Sequence, residues 1–206
     1  MFEMTRWYMR LGNWSFNLVL LNILWFLFSA LGLFIFGLFP ATAAMFAVLR
    51  HMMTEDEDVS VTKLFCQKYK QEFWKANLLG YLILLGSLLL FLNLRALQQF
   101  EQGFFRTAFA SVTVLLSFLF LLMALYIYPI FVHFKLDFWQ YPKYAFIMVI
   151  AKPLQTIIMV VGVVTISFFY LKFPVFMVIF GISLFSFVLM KVALMSLPRE
   201  ELVTAE

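Results

Sequence analysis

Two histidines, one cysteine and eleven carboxylates are the side chains of this 206-residue sequence best suited to acid–base, nucleophilic or metal chemistry. They do not assemble into a recognisable centre. His51 and His133 fall at expected membrane-interface positions, and a metal ion needs more converging ligands than these two offer. Cys66 stands alone, which excludes an internal disulfide and a multi-cysteine metal site. All the carboxylates lie in loops or tails. A proton relay, a cation-coupled carrier or an intramembrane aspartyl protease places one within a span. The acidic run Glu55-Asp56-Glu57-Asp58 lacks the Asp-x-Asp-x-Asp-Gly spacing of a calcium loop and reads as a solvated segment. No H-E-x-x-H, G-x-S-x-G or G-x-x-x-x-G-K-[ST] motif occurs. An enzyme would have to be improvised from Arg50, His51 and the acids at 55–58. The expectation is a non-enzymatic protein with no cofactor and no metal.

The uncharged polar residues inside apolar runs are the more informative set. Asn13 and Asn17 are four apart and share a helix face, with Asn22 beyond them. Thr42 and Asn77 lie in later apolar segments. Such amides and hydroxyls either bond neighbouring helices or line a path for a solute, and the first role is the commoner one in membranes. Asn13, Asn17, Asn22, Pro40, Thr42 and Asn77 are therefore the candidate polar and packing site. Lys63, Lys68, Lys70, Lys75 and Lys152 are the candidate contacts to lipid headgroups. For Lys152, beside Pro153, the plainer reading is snorkelling to the interface.

These residues are carried by apolar helices. Hydrophobic residues make up 65% of the chain and charged ones 13%, against about 25% charged in an ordinary soluble domain. Only lipid can serve as solvent for so much apolar surface. The net charge of +4 is spread along the chain, which speaks of topology and not of nucleic-acid binding. Leu11 to Leu49 is a 39-residue run without charge. As one helix it would reach ~58 Å, about twice the hydrocarbon core. Gly32, Gly37 and Pro40 mark where it turns, Pro40 suiting the first turn of a new helix. The reading is a hairpin, with an anchor that is not a cleavable signal.

The expected fold is an all-α polytopic transmembrane helical bundle in a single domain over 1–206. It has about six membrane helices, or five plus a re-entrant or interfacial segment. The helices run over 12–31, 40–53, 76–97, 105–131, 153–171 and 174–195. Pro129 bends or ends the one it lies in. An amphipathic cytoplasmic surface helix spans 60–76, where Val61, Leu64, Phe65, Tyr69, Phe73 and Ala76 recur at three- and four-residue spacing. A second interfacial helix spans 143–152. Ala43 and Ala47 allow close helix approach.

Six crossings with both termini cytoplasmic place 12 of the lysines and arginines inside and 3 outside. Five crossings, with 40–53 not crossing and the N-terminus outside, place 10 inside and 5 outside. The positive-inside rule prefers the first.

The succession Phe39-Pro40-Ala41-Thr42-Ala43-Ala44-Met45-Phe46-Ala47-Val48-Leu49-Arg50, an acidic stretch, Val61-Thr62-Lys63-Leu64-Phe65 and Phe73-Trp74-Lys75-Ala76-Asn77-Leu78-Leu79-Gly80 resembles the YesL-like family of bacterial membrane proteins, a domain of unknown function. Tyr128-Pro129 and Lys152-Pro153 fit it too, and the resemblance covers nearly the whole chain. The family's usual Gly-Pro stands here as Phe39-Pro40, which implies a differently shaped turn. The resemblance implies a bacterial cytoplasmic-membrane protein, often associated with carbohydrate-utilisation gene clusters, and so an accessory role in sugar uptake. Its partners would be the lipid bilayer and transporter subunits or a second copy. A small-solute carrier or channel with a site near the Pro40 break is the alternative.

Overall fold

The computed structural model describes residues 2–55, 59–100 and 103–197, with side chains from residue 12 onward. The acids at 56–58, Glu101, Gln102, the tail from 198 and the side chains of Arg6 and Arg10 lie outside the described residues. Eight helices and no strand are found among the described residues: α1 (Phe2–Leu31), α2 (Leu38–Thr54), α3 (Val61–Gln71), α4 (Phe73–Leu97), α5 (Phe104–His133), α6 (Gln140–Ala151), α7 (Pro153–Lys172) and α8 (Pro174–Leu194). Five are long and apolar enough to cross a membrane: Gly12–Leu31 of α1, then α4, α5, α7 and α8. The chain is an all-α, multi-pass membrane bundle.

The shorter α2 is its axle. At 17 residues it reaches ~25 Å. It touches α1, α3, α4, α5 and α8, and buries Pro40, Ala41, Ala43, Ala44, Met45, Phe46, Val48 and Leu49. Alanines on several faces let five neighbours approach one backbone. What surrounds α2 is protein.

The α1–α2 turn departs from what its glycines suggest. Leu33 and Phe34 adopt the left-handed conformation, φ 53° and 60°, and neither Gly32 nor Gly37 does. Leu33 N–H bonds Ala30 O and Phe34 N–H bonds Ser29 O, closing α1 in the manner of a glycine-terminated helix with leucine in glycine's place. Each such residue costs about 1–2 kcal/mol. The glycines serve close approach instead. A Cβ on Gly32 would lie 2.3 Å from the Gly37 backbone, and one on Gly37 would lie 2.6 Å from the carbonyl oxygens of Phe28 and Ser29.

The helix expected over 60–76 is divided. Glu72 (φ −99°, ψ 6°) leaves the helical path, so Lys75 belongs to α4. The break re-aims the chain so that Asn77 meets the α1–α2 turn. The apolar face of α3 packs on protein: Phe65 is fully buried, its ring 5.3 Å from that of Phe28. At ~100° per residue Lys63 and Lys70 project opposite Phe65, whereas Lys68 falls on the Phe65 side and is half-buried. α5 continues through Pro129 to His133. α6 begins three residues before the expected 143, with Pro142 in its first turn, where no N–H is needed.

The turn also sets the level of α4 against α1. Asn77 Nδ2 donates to Phe36 O at 2.9 Å, and Tyr81 hydroxyl donates to Ile35 O at 2.9 Å. Asn77 is two residues from Lys75 on one helix. Phe36 therefore lies level with the start of α4, while α1 and α8 run antiparallel, Trp14 beside Phe187 and Asn22 beside Val178 and Ile179.

Candidate functional site

Two breaks in helical backbone collect the polar side chains of the bundle, and both lean on α1. The first is the α1–α2 turn. Asn77, 5% exposed, donates through Nδ2 to Phe36 O and, at 3.0 Å, to Phe73 O of its own helix. Tyr81 hydroxyl holds Ile35 O. Tyr69 hydroxyl reaches Phe28 O at 3.3 Å, and burial pushes its phenol above the ordinary range, keeping it the neutral donor this contact needs. Trp25 Nε1 donates to Thr42 Oγ1 at 3.0 Å, while Thr42 donates to Leu38 O at 2.8 Å. Thr42 thus ties α1 to the start of α2.

Pro40 is buried, and the ring of the neighbouring Phe39 packs on Gly80, lying where a Cβ on that glycine would be. Open hollows lie at the α4–α5 tip, around Arg106, Thr107 and Ser111 and around Phe104, Arg106 and Phe109.

The second break is in α8 at Gly181, φ 35° and ψ −121°. It frees carbonyls that a continuous helix would use. Asn22 Nδ2 donates to Val178 O and Ile179 O at 3.0 and 3.2 Å, Ser183 Oγ to Phe180 O at 2.6 Å, and Tyr170 hydroxyl to Gly181 O at 3.0 Å. Four consecutive carbonyls are thereby held by side chains from α1, α7 and α8. A Cβ on Gly181 would meet Asn22 Oδ1 at 2.5 Å, so the glycine is required by both conformation and space. Sequence reasoning read straight through this break. Its one signal is a lone glycine seven residues into an apolar helix, and Asn22 lies 156 residues from the carbonyl it holds.

The other candidates are dispersed. Asn13 is exposed and Asn17 half-buried, and Asn22 is ~140° round the helix from Asn17. Lys63, Lys70, Lys75 and Lys152 are exposed. Lys152 lies between α6 and α7, where its carbonyl accepts from Thr156 Oγ at 3.0 Å. Thr156 also pairs with Tyr126 hydroxyl at 3.0 Å in the core. His51 Nδ1 lies 2.5 Å from Glu55 Oε2, and His133 is buried at the end of α5. Among the described residues no three His, Cys, Asp or Glu converge as metal ligands. Asn77 Oδ1 and Ser29 Oγ are buried without a hydrogen-bond partner. The chemistry this arrangement performs is hydrogen-bond donation to main-chain carbonyls.

Comparison with known proteins fits the architecture. Residues 18–94 match the family described as "Protein of unknown function, DUF624". The chain is 33% identical over 181 residues to a Bacillus subtilis (strain 168) protein titled "Uncharacterized protein YesL", covering 88% of this chain and 85% of that one. It is 32% identical to YteU of the same organism, covering 89% and 82%, and 33% identical to YesV, covering 88% and 86%. No solved structure matches.

Proposed function

This chain belongs to the YesL-like family of proteins of unknown function, and from that premise we propose that it is a non-enzymatic accessory component of the bacterial cytoplasmic membrane that supports carbohydrate uptake. One observation carries the choice of accessory over carrier. Asn22, Thr42 and Asn77, three of the polar groups best placed to bind a solute, are occupied with backbone at helix breaks. The Pro40 region is packed with side chains. The link to sugar rests on the family resemblance alone. In this reading the partners are lipid and the subunits of a transporter, with Lys63, Lys70, Lys75 and Lys152 at the headgroups. Lys68 is less suited, since it turns toward α1 and α2.

In this reading both termini face the cytoplasm, which the antiparallel course of α1 and α8 and the positive-inside rule support.

The test is sugar uptake in cells that carry a transporter with and without this chain, paired with gentle-detergent purification of the tagged protein. A several-fold fall in uptake on deletion, with transporter subunits co-purifying in fixed ratio, is the expected result. Unchanged uptake with no transporter subunit bound overturns it.

A further inference from the structure

We propose that the α1–α2 turn, Leu33 to Phe36, is a lipid-seated anchor: an apolar knob that rests among acyl chains just beneath the headgroups on the side of Lys75. The inference does not depend on the accessory role. Its first support is the character of the surface. Leu33, Phe34, Ile35 and Phe36 are 77%, 45%, 62% and 55% exposed, four consecutive large apolar side chains at the tip of a turn. A water-facing turn normally carries Asn, Asp, Ser or Gly.

The second support is the backbone, which is satisfied without water. The N–H groups of Leu33, Phe34, Ile35 and Phe36 bond Ala30, Ser29, Leu33 and Gly32 carbonyls. The carbonyls of Gly32, Leu33, Phe34 and Gly37 accept from Phe36, Ile35, Leu38 and Ala41. The remaining two, of Ile35 and Phe36, accept from the Tyr81 hydroxyl and the Asn77 amide. Every carbonyl from Gly32 to Gly37 is therefore taken. Water would solvate a turn's carbonyls at no cost to the fold, so an aqueous loop has no use for two side chains from another helix. Hydrocarbon offers no partner, and there each open carbonyl is heavily penalised.

The third support is depth. Trp74 and Lys75 are exposed next to Asn77, and an aromatic residue with a basic one marks the membrane interface. The knob sits one to two helical turns from that pair. The left-handed Leu33 and Phe34 are the means of reversing the chain while turning these side chains outward.

The test uses the full chain with Cys66→Ser in phosphatidylcholine–phosphatidylglycerol vesicles. An environment-sensitive fluorophore is placed on a single cysteine at Leu33, at Ile35, or at the exposed Gln67 of α3 as reference. Both turn positions are open, so the label displaces no core contact. Labels at Leu33 and Ile35 are expected to emit at shorter wavelength than at Gln67. Nitroxides on the acyl chain should quench them, and they should be several-fold less sensitive to aqueous iodide. Iodide quenching equal to that at Gln67 overturns the proposal in favour of an aqueous loop. Protection from both iodide and acyl-chain nitroxides also overturns it, and indicates a protein neighbour covering the knob.

Discussion

The side-chain amide of Asn22 lies 3.0 Å from the carbonyl oxygen of Val178 and 3.2 Å from that of Ile179, on the helix that Gly181 breaks. A residue near the start of the chain thus completes the hydrogen bonding of a helix near its end, inside an apolar bundle where an open carbonyl is penalised.

Asn22→Ala removes both donors and is expected to lower stability by about 1–2 kcal/mol. Asn22→Asp, which keeps the shape and loses the donor, should cost at least as much. Gly181→Ala should also destabilise, from its positive φ and from contact with Asn22 Oδ1. Thermal unfolding in mild detergent reads all three. Hydrogen exchange at Ile182 and Ser183 should quicken in the Asn22 variants, while the far end of α8 is unchanged.

Leu33→Gly is expected to stabilise the protein by about 0.5–1 kcal/mol, because glycine accepts φ 53° freely and the leucine it replaces buries little. Leu33→Val should do the opposite, since branching at Cβ makes the left-handed conformation worse. Melting temperatures that fall in both variants would refute the strained-turn account.

Tyr126 and Tyr128 lie one helical half-turn apart and should behave differently when cut to phenylalanine. Tyr126→Phe loses the hydrogen bond to Thr156 and is expected to cost about 1 kcal/mol. The Tyr128 hydroxyl is buried without a hydrogen-bond partner, its ring stacked on Phe46 at 5.7 Å. Tyr128→Phe should leave stability unchanged or raise it, because it removes a desolvated group and keeps the stack.

Much of this was legible from residue types. Apolar runs without charge announced the spans because lipid tolerates little else, and in-span amides read as helix-bonding groups for the same reason. The failures have physical causes. Gly32 and Gly37 do bracket the turn, yet they lie back to back and its left-handed residues are Leu33 and Phe34. Two backbones in contact leave the same glycine signature as a flexible turn. The α3–α4 break sits in an unbroken amphipathic pattern, since Phe73 and Ala76 continue the spacing of Phe65 and Tyr69 past Glu72.

Reporter fusions check the proposed orientation. Because α1 and α8 run antiparallel, N- and C-terminal reporters are expected to be active on the same, cytoplasmic face. Reporters active on opposite faces would refute it.

The central claim is that the buried polar side chains hold helix breaks and do not line a path. The most direct measurement is solute flux through the purified chain alone in liposomes, with radiolabelled mono- and oligosaccharides inside. Efflux no faster than from protein-free liposomes is the predicted result. Saturable efflux that disappears in Asn22→Ala or Asn77→Ala, with the fold intact, would contradict the account and make the chain a carrier in its own right.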